Sequence, residues 1–147
     1  MKLSKSLYTR AIQCQKSLWL KKHNKDVLTP PNAAAQAIFE NGNEVGDLAC
    51  KLFPNGVEIP YLNTTFQDKI NLTQEYINQG TQNIYEATFE FDGILIMIDI
   101  LNIKDNSVII NEVKSSTQVK DIYLHDASIQ YYVLNGLGYD VKKVNII

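Results

Sequence analysis

Long apolar runs are absent from these 147 residues, which excludes the roughly 18 to 20 consecutive apolar positions that a membrane-spanning helix requires. Cysteine is scarce: Cys14 and Cys50 are the only two, which excludes a disulfide scaffold and fits reduced thiols in a cytosolic protein. The amino terminus, MKLSKSLYTR, carries charges where a secretory signal would place its apolar stretch, so the expected location is cytoplasmic. Repeats and low-complexity tracts are also missing, and the one linker-like spot, Pro30-Pro31, is too short to separate domains. With 45% apolar and 20% charged residues, the composition excludes intrinsic disorder and collagen-like structure. One domain over 1–147 is expected, helical over 1–80 and built on a sheet over 81–147, long enough to bury a core.

A formal net charge of −2 conceals an asymmetry. Residues 1–26 hold seven basic side chains against Asp26, whereas residues 27–114 hold four basic and twelve acidic ones. A basic segment beside an acidic middle suits a polyanion held near metal-binding carboxylates; it equally suits a solvated basic helix on an acidic protein.

Residues 5–22 read as one helix, capped by Ser4, with Leu7, Ala11, Cys14 and Leu18 on one stripe and Tyr8, Ile12 and Trp19 beside it. Cys14 and Trp19 are therefore expected in the core. Thr29-Pro30-Pro31-Asn32 breaks the chain, and a second helix is expected from Ala33 to Leu52, interrupted near Gly42. Phe53-Pro54-Asn55-Gly56 is a turn and Val57–Ile59 a short strand. Residues 65–78 read as a helix ended by Gly80. The period then changes from about 3.6 to 2. Residues 84–91 alternate, Asp92-Gly93 is a strong hairpin signal, and the apolar run 94–101 reads as a strand buried on both faces. Lys104-Asp105-Asn106-Ser107 is a turn, 108–114 a third strand, 121–135 a helix, and 141–147 a final strand. The chain ends inside an apolar run, as a trimmed piece of a longer protein or a short family member would.

Asp99 is the odd residue in Ile-Leu-Ile-Met-Ile-Asp-Ile-Leu, where an ionised carboxylate is costly without a partner. A two-residue loop at Asp92-Gly93 makes facing positions add to 185, which sets Glu86 opposite Asp99. A two-residue loop at Asp105-Asn106 makes them add to 211, which sets Asp99 opposite Glu112. Like charges facing each other destabilise a sheet, and a bound hard cation reverses that penalty. Glu112-Val113-Lys114 adds a lysine on the same face as Glu112 by strand alternation. A carboxylate that holds metal beside an ammonium that positions water is what metal-assisted phosphodiester hydrolysis requires. A glutamine, Gln130, shares a helix face with Tyr123, Ala127 and Leu134. It orients Lys114 or a phosphate, or satisfies a backbone group. Ser115-Ser116-Thr117 holds phosphate oxygens or caps the following helix.

Asp99, followed thirteen positions later by Glu112-Val113-Lys114, resembles the signature of the PD-(D/E)XK nuclease superfamily, in its RecB-like form. Leu7 to Trp19 (LYTRAIQCQKSLW), Glu40 to Gly46 (ENGNEVG) and Gln130 within IQYYVL resemble the N-terminal helix, second helix and Gln motif of that family. Gly46 stands where relatives often carry a metal-binding His, with Glu44 as a candidate substitute, and Leu134 stands where the Gln motif usually has Tyr. Only Cys14 matches the four-cysteine iron–sulfur pattern of some relatives, so no such cluster is expected on this chain.

The resemblance implies an α/β fold of the restriction-endonuclease type, a mixed central sheet with an antiparallel meander flanked by helices. It implies a metal-dependent nuclease acting on DNA in preference to RNA, in repair or defence. Asp99 and Glu112 would hold Mg²⁺ or Mn²⁺ with the Val113 carbonyl and Glu86; Lys114 would orient the attacking water, and Gln130 would support the site. Lys16, Lys21, Lys22 and Lys25, with Ser115 and Ser116, would bind nucleic acid. Other domains or subunits of a larger nuclease are possible partners; a membrane is not. Two alternatives stay open: a catalytically silent nucleic-acid-binding or interaction module of the same fold, and a fragment of a larger nuclease.

Overall fold

The computed structural model of the protein describes residues 3–30, 32–104 and 107–147. Met1, Lys2, Pro31 and the Asp105-Asn106 turn lie outside the described residues. The chain runs β1 (Leu3–Ser4), α1 (Lys5–Gln13), α2 (Gln15–His23), a 3-10 turn (Lys25–Val27), α3 (Ala33–Cys50), β2 (Val57–Glu58) and α4 (Phe66–Asn78). It continues through β3 (Asn83–Phe91), β4 (Ile94–Lys104), β5 (Ser107–Glu112), α5 (Asp121–Gly136) and β6 (Asp140–Ile146). The fold is α/β, a mixed six-stranded sheet flanked by helices. Among the described residues no helix is long and apolar enough to cross a membrane.

Both hairpin registers keep the sums expected from the sequence. Asp92 and Gly93 have positive φ (51° and 72°), the paired left-handed geometry of a type I′ turn, and Phe91 faces Ile94. Every β3–β4 pair keeps that sum, and every β4–β5 pair keeps the one set by Lys104 facing Ser107. Parallel pairing of β5 with β6 follows from the α5 crossover. The strand order is β2-β3-β4-β5-β6, and β1 lies parallel to the first residues of β4. Thus the helical N-terminal part is not separate from the sheet: it supplies two of its strands.

The core lies where the sheet meets α4 and α5: Ile84, Phe89, Ile96, Ile98, Leu101, Ile110, Val133 and Leu134 pack together. Each such side chain contributes about 1.5–3 kcal/mol by leaving water. Thr65 and Asp68 form a capping box that starts α4, and Asn32 caps α3 through the Ala35 amide at 2.9 Å.

The N-terminal helices depart from the sequence pattern. Instead of one helix over 5–22, the chain breaks at Cys14, which is extended (φ −164°, ψ 107°). The apolar stripe is thereby split, so Cys14 is exposed and Trp19 is 58% exposed rather than in the core. In contrast α3 runs unbroken through Gly42. One glycine in a long helix costs only about 1 kcal/mol, too little to stop it.

Candidate active site

Asp99 lies in β4, between the pairing of β4 with β1, at Ile94 and Leu95, and its pairing with β5, which starts at Ile100. At that gap its side chain joins the two strands: Asp99 Oδ2 accepts the Val113 amide at 2.7 Å. Glu112 ends β5 and is 1% exposed. Lys114 follows past the strand end. Its ammonium donates to Glu112 Oε1 and, at 2.7 Å, to Asp126 Oδ2 on α5. Gln130, one turn after Asp126 and fully buried, donates from Nε2 to Glu112 Oε2 at 2.7 Å and to the Asp126 carbonyl and Oδ1 at 3.3 Å. The amide must present nitrogen to the carboxylate, which only accepts. Its Oε1 then has no partner among the described residues.

Lys5, the first residue of α1, enters the same cluster. Its Nζ donates to both Glu112 oxygens, at 3.0 and 2.9 Å, and stands 3.7 Å from Asp126 Oδ1 and 3.9 Å from Asp99 Oδ1. Three carboxylates from β4, β5 and α5 thus surround one ammonium. The position selects a cation, and its donors are all oxygen, the set preferred by Mg²⁺ and Mn²⁺. Among the described residues no three His, Cys, Asp or Glu side chains are arranged as a ready metal cluster.

The electrostatics divide the acids. Burial opposes the charge on Glu112, but the Lys5 and Lys114 ammoniums outweigh it and hold the carboxyl at about 2. Burial raises Asp99; the Lys5 ammonium opposes it, and the Glu112 charge adds to it. Asp126 is raised in the same way, by burial first. Burial followed by the Asp99 charge lifts Glu86 to about 7. Both lysines are raised: burial opposes their charge, and the surrounding carboxylates overcome it.

Glu86 occupies the position facing Asp99, with φ of 57°, a left-handed conformation unusual for a residue with a side chain. Such positions cost about 1–3 kcal/mol and cluster at functional sites. The cleft around these groups has a volume of about 810 Å³ and takes in Lys5, Glu86, Asp99, Glu112, Val113, Lys114, Ser115 and Asp126. Its far wall is α3, through Gly42, Gly46, Asp47 and Cys50. Tyr85 ties that wall to β3 by donating to the Phe53 and Cys50 carbonyls at 2.6 and 3.3 Å, and its ring leaves no room for a side chain at Gly56. A Cβ at Gly46 would meet nothing within 4 Å. Glu44 is exposed and does not line the cleft; Asp47 does.

The other expectations fare differently. Gln130 bonds Glu112 rather than Lys114. The serines do not cap α5, whose cap position is Lys120; Ser116 Oγ donates to the Gln118 carbonyl at 3.0 Å, folding the loop on itself. Lys16, Lys21 and Lys22 lie on α2 and Lys25 in the turn after it, outside the cleft lining. Lys21 and Lys22 occupy the last turn of α2, where cations also complement the helix dipole.

Two members of the cluster were not among the expected residues. Asp126 had a legible signal, four residues before Gln130 on one helix face. Lys5 had none, since its place depends on β1 pairing with β4. Compared with known proteins, the chain matches no family model, no curated protein and no solved structure.

Proposed function

We propose that the chain is a metal-dependent nuclease of the PD-(D/E)XK superfamily, RecB-like, with a restriction-endonuclease-like core, hydrolysing phosphodiester bonds in DNA. The observation that carries this reading is the convergence on Glu112. Lys114 and Gln130 both donate to its carboxylate, while Asp99 is bound to the amide of the next residue.

Asp99 and Glu112 would hold Mg²⁺ or Mn²⁺, with the Val113 carbonyl and Glu86 as further oxygen donors. The ion, when bound, would polarise the scissile phosphate and acidify a water. The chain's own residues do the rest. Lys114, steered by Asp126, orients the attacking water and stabilises charge developing on the phosphate. Gln130 keeps Glu112 in one rotamer, and the depressed pKa of Glu112 keeps it anionic at neutral pH. Ser115 at the cleft lip is placed for a phosphate oxygen. Lys16, Lys21, Lys22 and Lys25 would gather the polyanion without reading its bases. A cytoplasmic role in DNA repair or defence goes with this reading, as does work beside other domains or subunits of a larger nuclease.

A second reading is a catalytically silent nucleic-acid-binding module of the same fold. The Lys5 ammonium on both oxygens of Glu112 favours it. Incubation with labelled DNA and RNA in Mn²⁺, Mg²⁺ or chelator tests both readings. The nuclease reading expects metal-dependent cleavage, lost in Asp99→Asn and Lys114→Met at unchanged circular dichroism. Binding of DNA without cleavage in any metal would overturn it in favour of the silent module.

A further inference from the structure

Glu112 accepts from three side chains, and they differ in origin. Lys114 lies two residues along the same chain segment, and Gln130 is buried on α5. Lys5 comes from 107 residues away in sequence. It follows a two-residue strand held to β4 at Leu3 and Ser4, with the Leu3 amide on the Gly93 carbonyl at 2.8 Å. The strand anchors the backbone, and the lysine reaches the acids through its flexible stem alone. Ser6 and Thr9 of the same helix line the open cleft beside it.

A divalent ion on Asp99 and Glu112 would use the lone pairs that the Lys5 ammonium now occupies, and two cations at such spacing repel strongly at low dielectric.

We propose that Lys5 is a tethered cation that holds the ion's place in the metal-free protein, so that metal entry and withdrawal of the Lys5 side chain are one exchange. The proposal rests on the metal-dependent reading of the site. Its consequence is an apparent metal affinity lowered by the fraction of molecules in which Lys5 has withdrawn.

Calorimetric titration with Mn²⁺ of the full chain and of Lys5→Met tests it. Lys5→Met should bind Mn²⁺ at least about tenfold more tightly, as expected if the withdrawn state holds a tenth of the population or less. Glu112→Gln should abolish binding in both backgrounds. Equal or weaker binding by Lys5→Met overturns the competition while leaving the metal-dependent reading intact. No uptake of Mn²⁺ by either protein overturns both. Because Lys5→Met also removes a partner from a buried carboxylate, the wild type supplies an independent measurement. Acetylation followed by mass spectrometry should find Lys5 protected in chelator and several-fold more reactive at saturating Mn²⁺, with exposed Lys143 as the invariant reference. Protection unchanged by Mn²⁺ overturns the proposal.

Discussion

Strand β4 alone buries Leu95, Ile96, Ile98, Ile100 and Leu101, whereas α1 and α2 bury no residue and α3 only Ala49. Ile12, Trp19, Ile38, Phe39 and Leu48 on those helices are exposed. The carboxylates of the cluster follow the same division. Asp99, Glu112 and Asp126 stand on the densely packed sheet and α5, while the N-terminal helices contribute one ammonium and a wall of the cleft. Groups that must hold geometry sit where local opening is expensive; groups that must yield to a ligand sit where it is cheap.

That comparison breaks most sharply at Glu112. Glu112→Ala strands two ammoniums beside the remaining acids, and unfolding in urea with chelator should show a loss of about 3–5 kcal/mol. A loss below about 1 kcal/mol would mean that the cluster is solvated and not part of the rigid half.

Next in size is a matched pair of truncations. Ile98→Ala should cost about 2–5 kcal/mol, whereas Ile38→Ala, on the exposed face of α3, should stay within about 0.5 kcal/mol. Similar costs at both positions would show that the helical half is as tightly packed as the sheet.

A smaller effect lies in pH. Glu86 titrates at about 7, lifted by burial and then by the Asp99 charge. A carboxyl raised in the folded state stabilises it fully below its unfolded value of about 4.3 and loses that contribution as pH rises through 7. Metal-free Glu86→Gln should therefore match the wild type near pH 4 and exceed it by roughly 1–2 kcal/mol at pH 8. Parallel stability curves across this window would place Glu86 in solvent.

The smallest effect on folding belongs to Lys21, Lys22 and Lys25. Their replacement by Gln should leave cleavage at saturating DNA nearly unchanged. It should flatten the slope of log affinity against log salt by roughly 0.7–0.9 for each phosphate that is no longer neutralised. An unchanged slope would assign these lysines to the end of α2 alone.

Much of the sheet was legible because its information is local. Asp92-Gly93 dictates the turn, the turn dictates the register, and a period of two carries that register along β3 and β4. Gln130 was legible as a polar residue on a buried stripe, though its partner was not. The N-terminal helices misled because a stripe spaced for one helix carries no mark of the break at Cys14, and neither half of it is covered by the core. Trp19 reads as core by composition and is exposed by packing.

By itself the sequence determined strands β3 to β6 and the registers that join β3, β4 and β5, since turn chemistry and alternation act over a few residues. The tertiary structure alone decided that Lys5 closes the cluster, that Asp126 rather than solvent receives Lys114, and that the lysines of α2 stand apart from the cleft. Those placements depend on β1 laying itself along β4 and on α5 folding back over β5, which join residues far apart in the chain and which no local pattern encodes.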